Sequence, residues 1–320
     1  MKKLSLMGLT LVAASFLFNA SVHAESFPSQ NVNITVPTPP GGPLDLFARL
    51  IGNGLSKRWN KPVIVRNQPG AGTALGTQTV ARAKPDGYNI LVANIAISAH
   101  GALSKAPLFD VQKDLQPITL VASSPFFLFV PKAGFRSLEE LINAARKAPG
   151  KLNLAIIPNS QQHLDTERVL HAAGIKVTLI PYQGTAPIIQ ALLSNEVDAY
   201  LGSPGGMHGY LQAEKIRALA STGKSVSEEL PAVPTLRSKN IDVELEPWNA
   251  VFAPAGLSPE LLGKLHAAIV EVLAQPEVAD KIKAAGYDVR TSTPDDLAKM
   301  VSENLKLSRD MVRTAKIEPQ

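Results

Sequence analysis

Two short turns in this 320-residue chain hold residue types suited to gripping an anion. Gly41-Gly42-Pro43 opens a helical pattern over residues 44–58, with Asp45 near its start. Gly184-Thr185-Ala186-Pro187 opens another that runs to residue 193 and adds a hydroxyl. Four backbone N–H groups at a helix N-terminus lack intrahelical partners, and the macrodipole adds roughly half a positive charge there. Glycine lets a ligand approach the backbone, and proline in the first turn removes no donor the helix needs. Each turn alone reads equally as a simple helix start. The pair, expected at equivalent places in two domains and facing across a cleft, suits a carboxylate ligand.

Other polar residues cluster where strands should end. Ser98 and His100 follow a strand expected at 88–92, and Ser160 and His163 follow one at 152–157. A neutral imidazole there either packs in a turn or donates to a carboxylate. His163, Glu167 and His171 share one helical face, but they span about 12 Å along the axis, too far for one metal ion. Gly70-Ala71-Gly72-Thr73-Ala74-Leu75-Gly76 has G-x-G-x-x-x-G spacing, not the dinucleotide fingerprint, and reads as a third helix start lining the cleft. No G-x-S-x-G turn, S-x-x-K set, H-E-x-x-H or Walker loop is present. Catalytic, metal and cofactor roles are therefore not expected.

The elements that would carry these turns are those of an α/β protein. Strands are expected at 32–36, 62–66, 88–92, 118–121, 126–130, 152–157, 177–181, 197–201 and 216–221, with amphipathic segments at 44–58, 137–148, 186–193 and 259–274. Strands spaced by crossover helices predict mostly parallel sheets. The chain also echoes itself. Phe129-Val130-Pro131-Lys132-Ala133-Gly134 before a helix at Ser137 matches Phe252-Ala253-Pro254-Ala255-Gly256 before a helix at Ser258. Ile34-Thr35-Val36-Pro37 before Gly41 likewise matches Leu179-Ile180-Pro181 before Gly184. Two domains of like design are expected, one of residues 25–122 plus 248–320 and the other of 123–247. Two crossings between them would form a hinge.

Residues 1–24 read as a secretory signal peptide, with Lys2-Lys3, an apolar run and Val22-His23-Ala24 at the cleavage point. Removing these 24 of 320 residues leaves 296, and the formal charge falls from +5 to +3 as Lys2 and Lys3 leave. So slight a charge disfavours a nucleic-acid partner. With no Cys, the chain has no thiolate site, no disulfide and no lipid-anchor cysteine. Release into the periplasm as an unanchored monomer is expected.

In order along the chain, Val36-Pro37-Thr38-Pro39-Pro40-Gly41-Gly42-Pro43-Leu44-Asp45, Asn67-Gln68-Pro69-Gly70-Ala71-Gly72, Lys84-Pro85-Asp86-Gly87-Tyr88 and Pro181-Tyr182-Gln183-Gly184-Thr185-Ala186-Pro187 resemble the tripartite tricarboxylate transporter substrate-binding proteins, or Bug-type receptors. The likeness extends through Arg217-Ala218-Leu219-Ala220, Trp248 and Phe252-Ala253-Pro254-Ala255-Gly256. It implies a type II periplasmic binding fold that closes on a small carboxylated solute and delivers it to membrane permease subunits; a membrane sensor kinase is the alternative partner. It also implies that Gly184, Thr185 and Ala186 hold a ligand carboxylate. Pro40, Gly41, Gly42 and Asp45 would meet the far end, partly through water.

Two departures stand out. Ile157-Pro158-Asn159-Ser160-Gln161-Gln162-His163 replaces a glycine-bearing turn, keeping His163. Gly202, followed by Ser203-Pro204-Gly205-Gly206, stands where relatives often carry Asp. Without that carboxylate an amine-free ligand is favoured, and the vacated space is expected to admit a longer or aromatic acid beside Ser203.

Overall fold

The computed structural model describes residues 27–227 and 230–319. The expected signal peptide and the Glu228-Glu229 pair lie outside them. The first stretch runs β1 (Val32–Val36), α1 (Pro43–Trp59), β2 (Val63–Asn67), α2 (Ala74–Ala81), β3 (Asn89–Asn94), α3 (Ala96–Leu103) and β4 (Leu115–Ser123). The middle holds β5 (Phe127–Pro131), α4 (Leu138–Lys147), β6 (Asn153–Ile156), α5 (Gln161–Ala173), β7 (Thr178–Pro181), α6 (Thr185–Leu193), β8 (Ala199–Gly202), α7 (His208–Gln212) and β9 (Ile216–Ser221). The chain then returns through β10 (Trp248–Pro254), α8 (Pro259–Leu273), α9 (Pro276–Ala284), β11 (Asp288–Val289) and α10 (Pro294–Thr314).

The strands form two sheets of one design. The first has the order β11-β4-β10-β3-β1-β2 and the second β7-β6-β8-β5-β9. In each sheet three parallel strands adjoin a strand of opposite direction, β10 or β5, followed by β4 or β9. The sheets are thus mixed, not mostly parallel as expected. The physical reason is the crossing: the strand entering each sheet from the other lobe starts at the hinge, where its neighbours end.

Matching the two sheets corrects the expected equivalence of the turns. β10 with α8 does correspond to β5 with α4. Gly41-Gly42, however, follows β1, whose counterpart is β6, whereas Gly184 follows β7, the counterpart of β2. The anion-type turns therefore come from non-equivalent strands.

Each sheet is packed on both faces, which explains its near-continuous apolar strands. On one face of the first sheet Ile34, Val36 and Ile90 meet Phe47, Ile51 and Leu55 of α1 and Leu265, Ile269 and Val272 of α8. On the other, Leu91, Trp248 and Phe252 meet Val80 of α2 and Leu297, Val301 and Leu305 of α10. The second sheet likewise buries Leu154, Ile156 and Leu201 on one side and Phe127, Phe129 and Tyr200 on the other. Burying each such side chain stabilises the fold by roughly 1.5–3 kcal/mol before entropy is counted. One further cluster joins the lobes: Leu164 of α5 is buried with Ala99 and Leu103 of α3, against Met311, Val312 and Ile317.

The two crossings run side by side. Ser123 pairs with Trp248 in register, and the Ser124 N–H donates to the Pro247 carbonyl at 3.3 Å. On the second-lobe side, Thr222 is fully buried and ties both strands: its Oγ1 accepts from the Phe126 N–H and donates to the Leu245 carbonyl.

Candidate ligand-binding cleft

Register places the strand exits of both sheets at one boundary. Asn249 pairs with Asn94, so β10 begins where β3 ends, and β4 ends beside it. Phe127 pairs with Gly202 and with Ser221, so β5 begins where β8 and β9 end. Only residues 124–126 separate β4 from β5, a span of about 10–14 Å. The turns following β1, β2, β3, β6, β7 and β8 therefore open toward a common inter-lobe cleft.

The turn into α1 is shaped by charge. Gly41 has φ +88°, the left-handed region that favours glycine, and its N–H donates to Asp45 Oδ2 at 3.0 Å. Arg49 holds the same carboxylate with Nε to Oδ2 at 3.0 Å and Nη2 to Oδ1 at 2.9 Å. Arg49 also donates to Asn67, whose amide donates to the Thr38 carbonyl. Burial pushes the Asp45 carboxyl up, but the hydrogen bonds from Arg49, Gly41 and Asn67 outweigh it and hold it below the usual range. Asp45 thus braces the loop through Oδ2, while its Oδ1, near the Arg49 guanidinium, is buried without a hydrogen-bond partner. The donors left are those of the helix start. Gly42 receives no side-chain cap, and the first intrahelical bond is from the Leu46 N–H to Gly42. Open space fronts Gly41 and Gly42, where an added Cβ would meet nothing within 4 Å, and Pro40 is exposed beside them.

The turn into α6 is shaped by neutral groups. Gly184 has φ +112° and ψ 178°, gives α6 no side-chain cap, and faces open space. Thr185 is the first helical residue and Ala186 is exposed. The Thr185 side chain lies near the hydroxyl of Tyr200, a residue only 3% exposed. Burial pushes this phenol up to about 12, and nearby Tyr287 adds to the rise. The Tyr200 ring fills the volume that a side chain at Gly202 would need. The room expected at residue 202 is therefore occupied, and nothing is left there for a larger ligand.

Tyr287 links the turns. Its ring meets Phe47, one turn into α1, edge to face at 5.2 Å. A methyl placed at Gly205 would lie 3.8 Å from the Tyr287 hydroxyl and 3.9 Å from Ser203 Oγ. Ser203 is half-buried in that same turn.

The remaining candidates divide. Ser98 is fully buried and its Oγ has no hydrogen-bond partner, as is true of His163 Nδ1 and Thr73 Oγ1. Buried polar atoms at three strand exits are thus left unsatisfied, and such atoms call for an explanation. Burial lowers the His163 pKa, keeping the ring neutral. Ser160 is a helix cap: its Oγ accepts from the His163 N–H and donates to the Ile157 carbonyl at 2.6 Å. His100 does not join the cleft set. Its ring stacks on Phe109 at 5.0 Å, and Nε2 accepts from the Leu108 N–H.

Sequence reasoning missed Tyr200, Tyr287, Arg49 and Gln162. Gln162 accepts from the Ile157 N–H and donates to the Leu201 carbonyl, tying β6 to β8 where glycines were absent. The spacing of Tyr200 and Gly202, two apart on one strand face, was the one available signal. Among the described residues no cluster of His, Asp or Glu could hold a metal ion, and no helix is long and apolar enough to cross a membrane.

Two sheets of matching order, paired crossings and anion-ready strand exits define a two-domain binding protein of type II, the fold shared with solved periplasmic binding proteins. The model of the tripartite tricarboxylate transporter family receptors matches residues 47–317, and the chain belongs to that family of solute-binding receptors. It is 30% identical to BugT of Bordetella pertussis over 315 residues, covering 97% of this chain and 96% of BugT. MatC from Rhodopseudomonas palustris, solved with bound malate, is 28% identical with a TM-score of 0.76, covering 89% of this chain and 100% of MatC. An R. palustris protein solved with adipate is 27% identical with a TM-score of 0.80, covering 92% of this chain and 100% of its own.

Proposed function

We propose that this protein is a periplasmic receptor that closes its lobes on a small dicarboxylate and delivers it to permease subunits of a tripartite tricarboxylate transporter. The observation that carries the reading is the pair of uncapped, glycine-led helix starts, one on each lobe, opening toward the inter-lobe boundary. Each offers backbone donors and a positive helix end to one carboxylate. Malate in MatC and adipate in the other R. palustris protein have that two-ended form. Ser98, His163 and Thr73, unsatisfied in the described structure, supply further polar contacts between the ends.

The lobes, residues 25–122 plus 248–320 and 123–247, turn on the paired crossings when ligand enters. No bond is made or broken. Binding shifts the open–closed equilibrium because only the closed form engages both ends.

Thr185→Pro tests the site. Proline is tolerated at the first helical position, so the fold stays intact. The change removes one N–H and one hydroxyl, each worth roughly 1.5–3 kcal/mol toward an anion, so affinity should fall about 100-fold or more. Calorimetry with C4–C6 dicarboxylates reads the result, and unchanged affinity rejects the site. Native mass spectrometry of freshly purified protein should reveal a co-purified diacid.

A further inference from the structure

Asp165 of α5 is 1% exposed, and capture of a solute makes no use of it. Its Oδ1 accepts from Gln161 Nε2 at 3.0 Å and lies 3.5 Å from Arg168 Nη1. Its Oδ2 is buried with no hydrogen-bond partner, and so is Gln161 Oε1. A carboxylate placed so keeps its charge at a cost, because one oxygen meets neither water nor a donor.

Three parts of the molecule that a hinge motion would shift meet at this acid. Asp165 and Arg168 line a cavity of about 80 Å³ with Ile95, which follows β3, and with Asn304 and Leu307 of α10. The remaining wall is the second crossing, residues 244–247. Oδ2 is shut off from solvent while the parts hold these positions, and separating them would let water reach it. The charged neighbours are few. Arg168 is the cation among the lining residues, and the crossing brings the exposed Glu244 and Glu246. Arg237 holds Glu244 at 2.7 Å. From the first lobe, Ile95 is apolar and Asn304 is neutral, its Oδ1 accepting from Trp248 Nε1 at 2.6 Å.

We infer, resting on the hinged-receptor reading above, that Asp165 is a proton-operated latch between the lobes. Protonated, it holds α5 against α10 and the crossing; ionised, it favours their separation. Burial pushes its carboxyl up to about 6, against the opposing pull of Arg168 and the Gln161 amide. In separated lobes water reaches it, and it returns toward its ordinary value of about 4. The joined form therefore binds the proton more tightly. Its advantage is full below about pH 4, fades as pH rises, and is gone above about pH 6. Each pKa unit regained is a tenfold change, so the ratio of separated to joined lobes should rise about tenfold or more across that window. A solute is then held more tightly in acid than at neutrality.

The chain has no cysteine, so Asn53→Cys and Gln190→Cys, at exposed positions on the two lobes, carry a pair of pH-insensitive dyes. Energy transfer without ligand, from about pH 4.5 to about pH 7.5, reads the distance between the lobes. Wild type should move from the nearer to the farther distance. Asp165→Asn, neutral and of the same shape, should keep the nearer distance throughout. Arg168→Gln removes the cation that favours the ionised form, so the midpoint should move to higher pH. A merely structural loss would loosen the lobes equally at every pH. Calorimetry with malate or adipate, whichever binds wild type, should show Asp165→Asn about tenfold tighter than wild type at neutral pH and equal to it in acid. That ratio cancels protonation of the diacid and of Glu167, which burial also raises.

A ligand-free distance that ignores pH overturns the inference. So does a folded Asp165→Asn chain that keeps the wild-type response, or an Arg168→Gln midpoint that stays or falls. If Asp165→Asn fails to fold, wild type and Arg168→Gln decide alone. Lobes that move on malate or adipate but ignore pH defeat the latch alone. Lobes that neither a diacid nor pH moves defeat the receptor reading, and the latch with it.

Discussion

The α1 start and the α6 start present the same kind of donor edge, yet opposite chemistry holds them in place. Asp45, Arg49 and Asn67 brace the first with an ion pair whose arginine is half in solvent. Buried Tyr200 and half-buried Thr185 brace the second with neutral hydroxyls. A carboxylate inside the first turn is tolerated because the Arg49 guanidinium offsets its charge and the Gly41 N–H binds its Oδ2. Bare negative charge would otherwise repel the ligand. The second turn needs no such neutralisation and gains rigidity from packing instead.

The largest way to break this comparison is Gly184→Val. A β-branched residue at φ +112° stores about 1–3 kcal/mol of strain and misdirects the turn. Dicarboxylate affinity should drop by about two orders of magnitude in calorimetry, given the donors lost with the turn, and the melting temperature should fall. Asp45→Ala comes next. It leaves Arg49 and the Gly41 N–H without their acceptor, so affinity should fall about tenfold, corresponding to 1–3 kcal/mol. A smaller effect is expected from pH, and it sharpens the contrast. The Asp45 carboxyl is depressed in the folded protein, so its stabilisation is present above its unfolded pKa and is lost as pH falls through the folded value. The Tyr200 phenol is raised to about 12, so its contribution is intact below its ordinary pKa and is lost as pH rises through the folded value. Affinity measured across the neutral range should be flat with respect to both braces, with acid failing the first turn and strong alkali the second. The smallest effect belongs to Gly42→Ala. Gly42 is extended, with φ −88°, and faces open space, so the melting temperature should hold and any loss of affinity would report crowding of the ligand itself.

Much of this architecture was legible in the sequence because it is local. The β1 and β9 ranges emerge at Val32–Val36 and Ile216–Ser221, as apolar runs bounded by turn residues demand. Both anion-type turns could be found because Gly and Pro mark backbone geometry directly. What stayed hidden depends on distant chain. The opposite direction of β5 and β10 follows from where the crossings enter, and no strand's own pattern records that. Tyr200 reads as one more core aromatic until its neighbour Gly202 and the α6 turn are brought beside it. His100 looked free because its stacking partner, Phe109, arrives through an irregular loop. Asp45 was legible as an acidic residue at a helix start, whereas its ion pair with Arg49, one helical turn on, was not.

The greasy knot where Leu164 sits among Ala99, Leu103 and the C-terminal helix gives the two halves of the molecule an uneven seam. Parting them on that flank would wet apolar side chains, whereas beside Tyr287 its hydroxyl and the Ser203 hydroxyl lie near Gly205. Any gape should therefore swing like a book held shut along one margin. Mutations that trim Leu164 would widen the resting aperture without touching a single group that faces the solute.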